Sequence, residues 1–211
     1  MSSFVPELVG RSLGGFVNLL CGTCSRWVDC QPSTRQRIYY GNHTSHLDFV
    51  ILWSGLPIEV RRVTRPAAAR DYWEKSSLRR YLAYRVFNTI MIDRAAEGAS
   101  VAAAAHSLEA ILEGMGDRFS LIIFPEGTRG TGEAIAPFKS GIYHMAKRKP
   151  GVEFVPVYME NLNRILPKGE VLPVPLIGSI SFGKPFTLEA GESKSTFLER
   201  ARQAILELAK V

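Results

Sequence analysis

The chain has too few cysteines to be held together by them. Cys21, Cys24 and Cys30 are odd in number and crowded into one short segment, which excludes a disulfide framework and fits a reducing, cytoplasmic setting. Cys21-x-x-Cys24 has the form of half a zinc site. No second Cys or His pair stands near it, so small buried helix residues are the simpler reading. No apolar run reaches the roughly twenty residues needed to span a bilayer. Zinc-finger spacing, an RNA-binding aromatic signature and a basic recognition helix are also missing, which argues against nucleic acid as a partner. No repeat, low-complexity stretch or linker-like composition divides the sequence, so 211 residues at 46% hydrophobic content are expected to build one well-buried domain.

The charge is unevenly placed. Residues 1–57 carry four basic and three acidic side chains, 58–94 carry nine and four, and 95–211 carry thirteen of each. Nearly all of the formal +6 therefore lies between Ile58 and Arg94. Such a patch gathers anions, either a negatively charged membrane surface or a phosphorylated substrate. Near the start of the chain, Val9, Leu13, Phe16, Val17, Leu20, Cys24 and Trp27 recur at spacings of three and four, which makes one apolar helical face. Glu7, rather than a cluster of Lys or Arg, precedes it, so it does not read as a cleavable signal. Two readings stand: a helix packed on the domain, or an amphipathic helix in the headgroup layer with Trp27 at its boundary.

Short apolar runs predict strands at Arg37–Tyr40, Glu59–Val63, Thr89–Ile92, Leu121–Phe124, Phe154–Tyr158 and Leu176–Phe182. Helices are expected at Asp48–Ser54, Tyr72–Phe87, Ala99–Met115, Ile142–Lys147 and Phe197–Ala209. Their alternation predicts an α/β fold, a mixed sheet flanked by helices. The proline-bearing stretch Ile165–Ile177 is expected to form a loop over the site.

Two short words stand out against this frame. Asn42-His43-Thr44-Ser45-His46-Leu47-Asp48 holds a histidine and an aspartate that suit a base and its orienting carboxylate. Phe124-Pro125-Glu126-Gly127-Thr128-Arg129 follows an apolar run and sets Glu, Thr and Arg on a turn. Both words fall where a strand ends, the place where ligands collect in open α/β sheets. Arginine's fork matches phosphate oxygens two at a time, so Arg94, Arg129 and the point charge of Lys139 are the phosphate candidates. Gly127 would let backbone N–H groups approach an anion, and Thr128 could donate to the same group. The blander reading of Arg94 alone is a surface salt bridge with Asp93 or Glu97. A metal reading of His43, His46 and Asp48 lacks HExxH spacing and distant histidines, so no metal is assigned.

The NHxxxxD and FPEGTR words resemble those of the glycerophospholipid acyltransferase family. Asn88-Thr89-Ile90-Met91-Ile92-Asp93-Arg94 is similar to its G-x-x-F-I-D-R block, and Phe154-Val155-Pro156-Val157 to its late V-P-V strand. Phe138-Lys139-Ser140-Gly141 is similar to its F-K-x-G stretch. Asn88 stands for the usual glycine, Met91 for phenylalanine and Gly130 for serine. The resemblance implies His43 as base and Asp48 as its partner. It also implies Arg94, Glu126 and Arg129 at the acceptor's glycerol phosphate, and no cofactor beyond an acyl-CoA or acyl carrier protein donor. The implied enzyme acylates 1-acylglycerol-3-phosphate at the cytoplasmic face of a membrane. Residues 1–30 would be a membrane-associating segment and residues 31–211 the α/β acyltransferase domain. Lyso-ornithine lipid and lysophosphatidylethanolamine are alternative acceptors. Outside the class stand a metal-dependent hydrolase and a non-catalytic membrane-binding module.

Overall fold

A seven-stranded sheet organises the computed structural model, which describes residues 4–21, 24–45, 48–93, 101–130, 132, 134–160 and 178–210. In chain order the strands are β1 (Cys24–Trp27), β2 (Arg37–Gly41), β3 (Thr64–Ala69), β4 (Ile90–Ile92), β5 (Ser120–Ile123), β6 (Glu153–Glu160) and β7 (Ser179–Phe182). They lie side by side as β1-β7-β6-β2-β5-β3-β4. From β6 across to β4 all neighbours are parallel, whereas β7 runs antiparallel to β6 and pairs in parallel with β1. The α/β expectation holds, and the sheet is mixed.

The central strands read as continuous apolar runs because both faces of the sheet are covered. Ile38 and Tyr40 of β2 enter one core with Leu121 and Ile123 of β5, while Tyr39 and Ile122 enter the other. That is the period-two alternation of a strand. The second core is closed by α1 (Phe4–Cys21), α2 (Asp48–Gly55), α3 (Ile58–Arg62), α4 (Arg70–Trp73) and a π-helical turn (Leu82–Val86), into which α5 (Ser77–Tyr81) leads. The first is closed by α6 (Val101–Met115), α7 (Gly141–Arg148) and α8 (Lys194–Leu208), through Ile111, Met145 and Phe197.

Helix α1 packs on α2 and the π turn through glycines. A Cβ on Gly10 would lie 3.2 Å from the Trp53 ring, and one on Gly14 would lie 2.8 Å from the Arg61 guanidinium. The residues that weaken its helix propensity are thus the ones that permit close approach. Leu13 packs on the core and Glu7 pairs with Arg62, while Val5 and Leu8 remain exposed. Among the described residues no helix is long and apolar enough to cross a membrane.

Several expectations are corrected. Glu59–Val63 is not a strand: Ile58–Arg62 is a helix, with Glu59 in its first turn and Arg61 and Arg62 in its last, charges that suit the helix dipole. The strand follows at Thr64–Ala69, hidden in the sequence by Pro66 and three alanines. Tyr72–Phe87 is not one helix but α4, α5 and the π turn, restarted at Ser76, whose hydroxyl accepts from Arg79 N–H. Trp27 does not extend the first helix. It lies in edge strand β1 and stacks on Phe182 with ring centroids 4.1 Å apart. The expected loop Ile165–Ile177 lies outside the described residues.

Candidate active site

Strands β2 and β5 are neighbours whose chains leave the sheet in opposite directions. Beyond β2 the chain enters α2 on one face, and beyond β5 it goes to α7 on the other. Two loops that part in this way open a crevice at the carboxyl ends of the strands. Both sequence words sit there.

His43 comes two residues after β2, and Asp48 is the first residue of α2. The five-residue spacing turns the carboxylate back over the loop, where Oδ2 lies 2.9 Å from His43 Nδ1. The same oxygen accepts the N–H groups of Thr44 (2.6 Å) and Ser45 (2.8 Å). Asp48 is fully buried, while the His43 side chain keeps 22% of its exposure. An oxygen already accepting two N–H groups accepts from Nδ1 as well, which puts the ring proton on that nitrogen and leaves the Nε2 lone pair free. No described residue bonds to Nε2. The ring plane is set by stacking on Phe124, at 4.4 Å and 13°.

The FPEGTR turn holds this loop from beneath. Buried Glu126 accepts the His43 N–H at Oε1 (2.7 Å) and the Ala136 N–H at Oε2 (2.9 Å). Gly130 N–H donates to the His43 carbonyl at 2.8 Å. The carboxylate is therefore a strut between loops, engaged through both oxygens. Gly127 has φ +71, a left-handed conformation that glycine adopts without strain. Its N–H is bonded to the Phe124 carbonyl and is not available to an anion. What the missing Cβ makes room for is Lys139, whose stem and Nζ would lie 2.8 Å from it. Thr128 and Lys139 are exposed and Arg129 is partly so. Arg129 forms no ion pair with a described residue.

Residues 27–160 match the acyltransferase family profile. The chain is 30% identical over 173 residues to a 1-acyl-sn-glycerol-3-phosphate acyltransferase of Limnanthes douglasii, covering 81% of this chain and 58% of that protein. The chain belongs to the acyltransferase family. A protein of the same description from Escherichia coli K12 is 37% identical over 101 residues, covering 44% of this chain and 39% of that protein. The fold matches the crystal structure of the 1-acyl-sn-glycerophosphate acyltransferase of Thermotoga maritima with a TM-score of 0.74. At 17% identity, that match covers 97% of this chain and 78% of that one. The chain spans just over half the length of the plant relative.

In this acyltransferase-family chain, His43, Asp48, Glu126, Gly127, Thr128, Arg129 and Lys139 come together at the ends of β2 and β5. Arg94 lies outside the described residues. It follows β4, whose carboxyl end faces the same edge of the sheet two strands from β5. His46 also lies outside them. Asn88, where the family's block usually has glycine, sits at φ +51. Asparagine tolerates that region better than most residues, so the departure keeps the turn. Asn42, to which sequence reasoning gave no role, braces the site. Its side chain donates to the Met159 carbonyl and accepts the Met159 N–H, both at 2.9 Å, clamping the end of β2 to β6. An amide placed directly before the histidine, at a strand end, was the available signal.

Proposed function

We propose that this chain moves a fatty acyl group from acyl-CoA or acyl carrier protein to the free hydroxyl of 1-acylglycerol-3-phosphate, at the cytoplasmic face of a membrane. The observation that carries the reading is the buried Asp48 carboxylate 2.9 Å from His43 Nδ1, with Nε2 left open beside the FPEGTR turn. The chain's similarity to 1-acyl-sn-glycerol-3-phosphate acyltransferases adds to it.

His43 Nε2 takes the proton of the acceptor hydroxyl as its oxygen attacks the thioester carbonyl carbon. The carbon–sulfur bond then breaks, and the thiolate recovers the proton from the imidazolium. No acyl-enzyme forms, because the acceptor's hydroxyl stands where a serine protease has its serine. Asp48 keeps the proton on Nδ1 and stabilises the charged ring. Arg129, with Arg94, meets the acceptor phosphate through charge-assisted hydrogen bonds. Lys139 adds a positive charge over Gly127, and Thr128 donates a hydroxyl.

The test is a panel of lysolipids, with and without a glycerol phosphate, offered with acyl-CoA and with acyl carrier protein. Transfer to 1-acylglycerol-3-phosphate should dominate, and Arg129→Ala should raise the KM for that acceptor about ten- to a hundredfold while leaving the donor's KM unchanged. Equal transfer to acceptors lacking the phosphate would overturn the substrate assignment.

A further inference from the structure

A cavity of about 430 Å³ opens between α1, α3 and the π turn, lined by Arg11, Arg61, Arg62, Arg85, Trp53 and Tyr84 among others. It lies at the far end of the sheet from His43. Its wall includes Thr64, the first residue of β3, whereas His43 follows the last residue of the parallel β2. The length of a strand, on the order of 15 Å, separates the two. This cavity belongs to none of the catalytic machinery above.

Its charge is not balanced. Four arginines line it against one glutamate, Glu7. Among the described residues only Arg62 of the four has an ion-pair partner, Glu7 itself. Arg61 is fixed in place by donating to the carbonyls of Ser54 (2.7 Å) and Leu56 (2.9 Å) and lies 4.7 Å over the Trp53 ring. Those bonds orient the guanidinium without neutralising it, and burial pulls it below the ordinary arginine value with nothing to oppose the shift. A desolvated cation facing an open cavity calls for an anion.

The surroundings say where that anion comes from. Val5, Leu8, Leu78 and Tyr84 are the exposed large hydrophobic residues among those described, and all lie on α1, α5 or the π turn. Tyr84 is part of the cavity wall, while Val5 and Leu8 flank wall residues Pro6 and Glu7. Arg80 and Arg85 are exposed on the same segment. Apolar side chains around an arginine-lined cavity match a bilayer surface, with acyl chains beside a headgroup phosphate.

We propose that this cavity is a docking site for the headgroup phosphate of an anionic membrane phospholipid, distinct from the acceptor bound at His43. The assignment rests on the membrane setting of the proposed function. It gives that setting a defined contact, since α2 leads directly from Trp53 at the cavity to Asp48 at the catalytic crevice.

The test is sedimentation of the full chain with vesicles of phosphatidylcholine alone and of phosphatidylcholine mixed equally with phosphatidylglycerol. The wild type should prefer the mixed vesicles. Arg11→Ala combined with Arg85→Ala should weaken that binding roughly thirtyfold, about fivefold per arginine. Lys147→Ala with Lys210→Ala, the same charge loss on the other face, should change it less than about threefold. Acyl transfer to a short-chain, water-soluble acceptor should be unchanged in both. An equal loss in the two double variants, or competition by millimolar inorganic phosphate as strong as that by the lipid, would overturn the docking assignment. A wild type that binds neither vesicle while still transferring acyl groups would overturn the membrane setting and leave the catalytic reading standing.

Discussion

The His43 backbone N–H donates to Glu126 Oε1 at 2.7 Å, so the loop carrying the proposed base hangs from a buried carboxylate at the end of the neighbouring strand. Glu126→Gln keeps the volume but turns one acceptor into a donor, which then faces an N–H of His43 or Ala136. The cost should be about 1–3 kcal/mol of stability, read by urea unfolding. Because the loop positions the base, kcat should fall while the acceptor's KM moves little. Unchanged stability together with a raised acceptor KM would instead mean that Glu126 reads the substrate.

Asn88 offers a backbone test. At φ +51 it lies where glycine is free of strain and a β-branched residue is not. Asn88→Gly should leave stability within about 1 kcal/mol of wild type, whereas Asn88→Val should lose about 1–2 kcal/mol. Asn88 accepts from Arg65 through its backbone carbonyl, so that bond survives both substitutions. Equal unfolding midpoints for the two variants would contradict the account.

These residues show which parts of the molecule were legible in its sequence. Buried strands such as Leu121–Ile123 announce themselves because both faces are covered and every position is apolar. The His43–Asp48 pair was legible because a strand end and a helix start fix its geometry locally. Strand β3 was not, since Thr64–Ala69 has a proline and three alanines and owes its form to pairing with β4 and β5. Edge strand β1 was missed for a related reason: Trp27 continues a helical spacing, yet its stacking on Phe182 is a tertiary contact. The two backbone bonds to Glu126 were invisible because they join residues 83 and 10 positions apart.

Acid stability should depend on the entry into α8. Hydrogen bonds from Arg200, at 2.8 and 2.6 Å, hold the Glu192 carboxyl below its usual range, against the opposing effect of burial. A depressed folded value means that the pair's contribution is present above the unfolded glutamate value, about 4.3, and is lost as pH falls through the folded one. Unfolding free energies followed from neutral pH down to about 3 should therefore fall less steeply in Arg200→Gln than in the wild type. Parallel curves would exclude this pair as a source of the acid loss.

Cys30 should be chemically quiet in the folded protein. It is 7% exposed, and burial pushes its thiol above the ordinary cysteine value. Alkylation by iodoacetamide, mapped by mass spectrometry, should label it only after denaturation in urea. Labelling of the native protein at the rate of a free thiol would contradict its placement.

Acyl transfer by His43→Ala tests the central claim most directly. The variant should fold like wild type, bind 1-acylglycerol-3-phosphate with little loss of affinity, and lose about 10²–10⁴-fold in kcat. Asp48→Asn should also slow turnover, because an amide in place of the carboxylate no longer holds the proton on Nδ1. Near-normal kcat in a folded His43→Ala protein would contradict the account, since no other group at the crevice has been given the base's part.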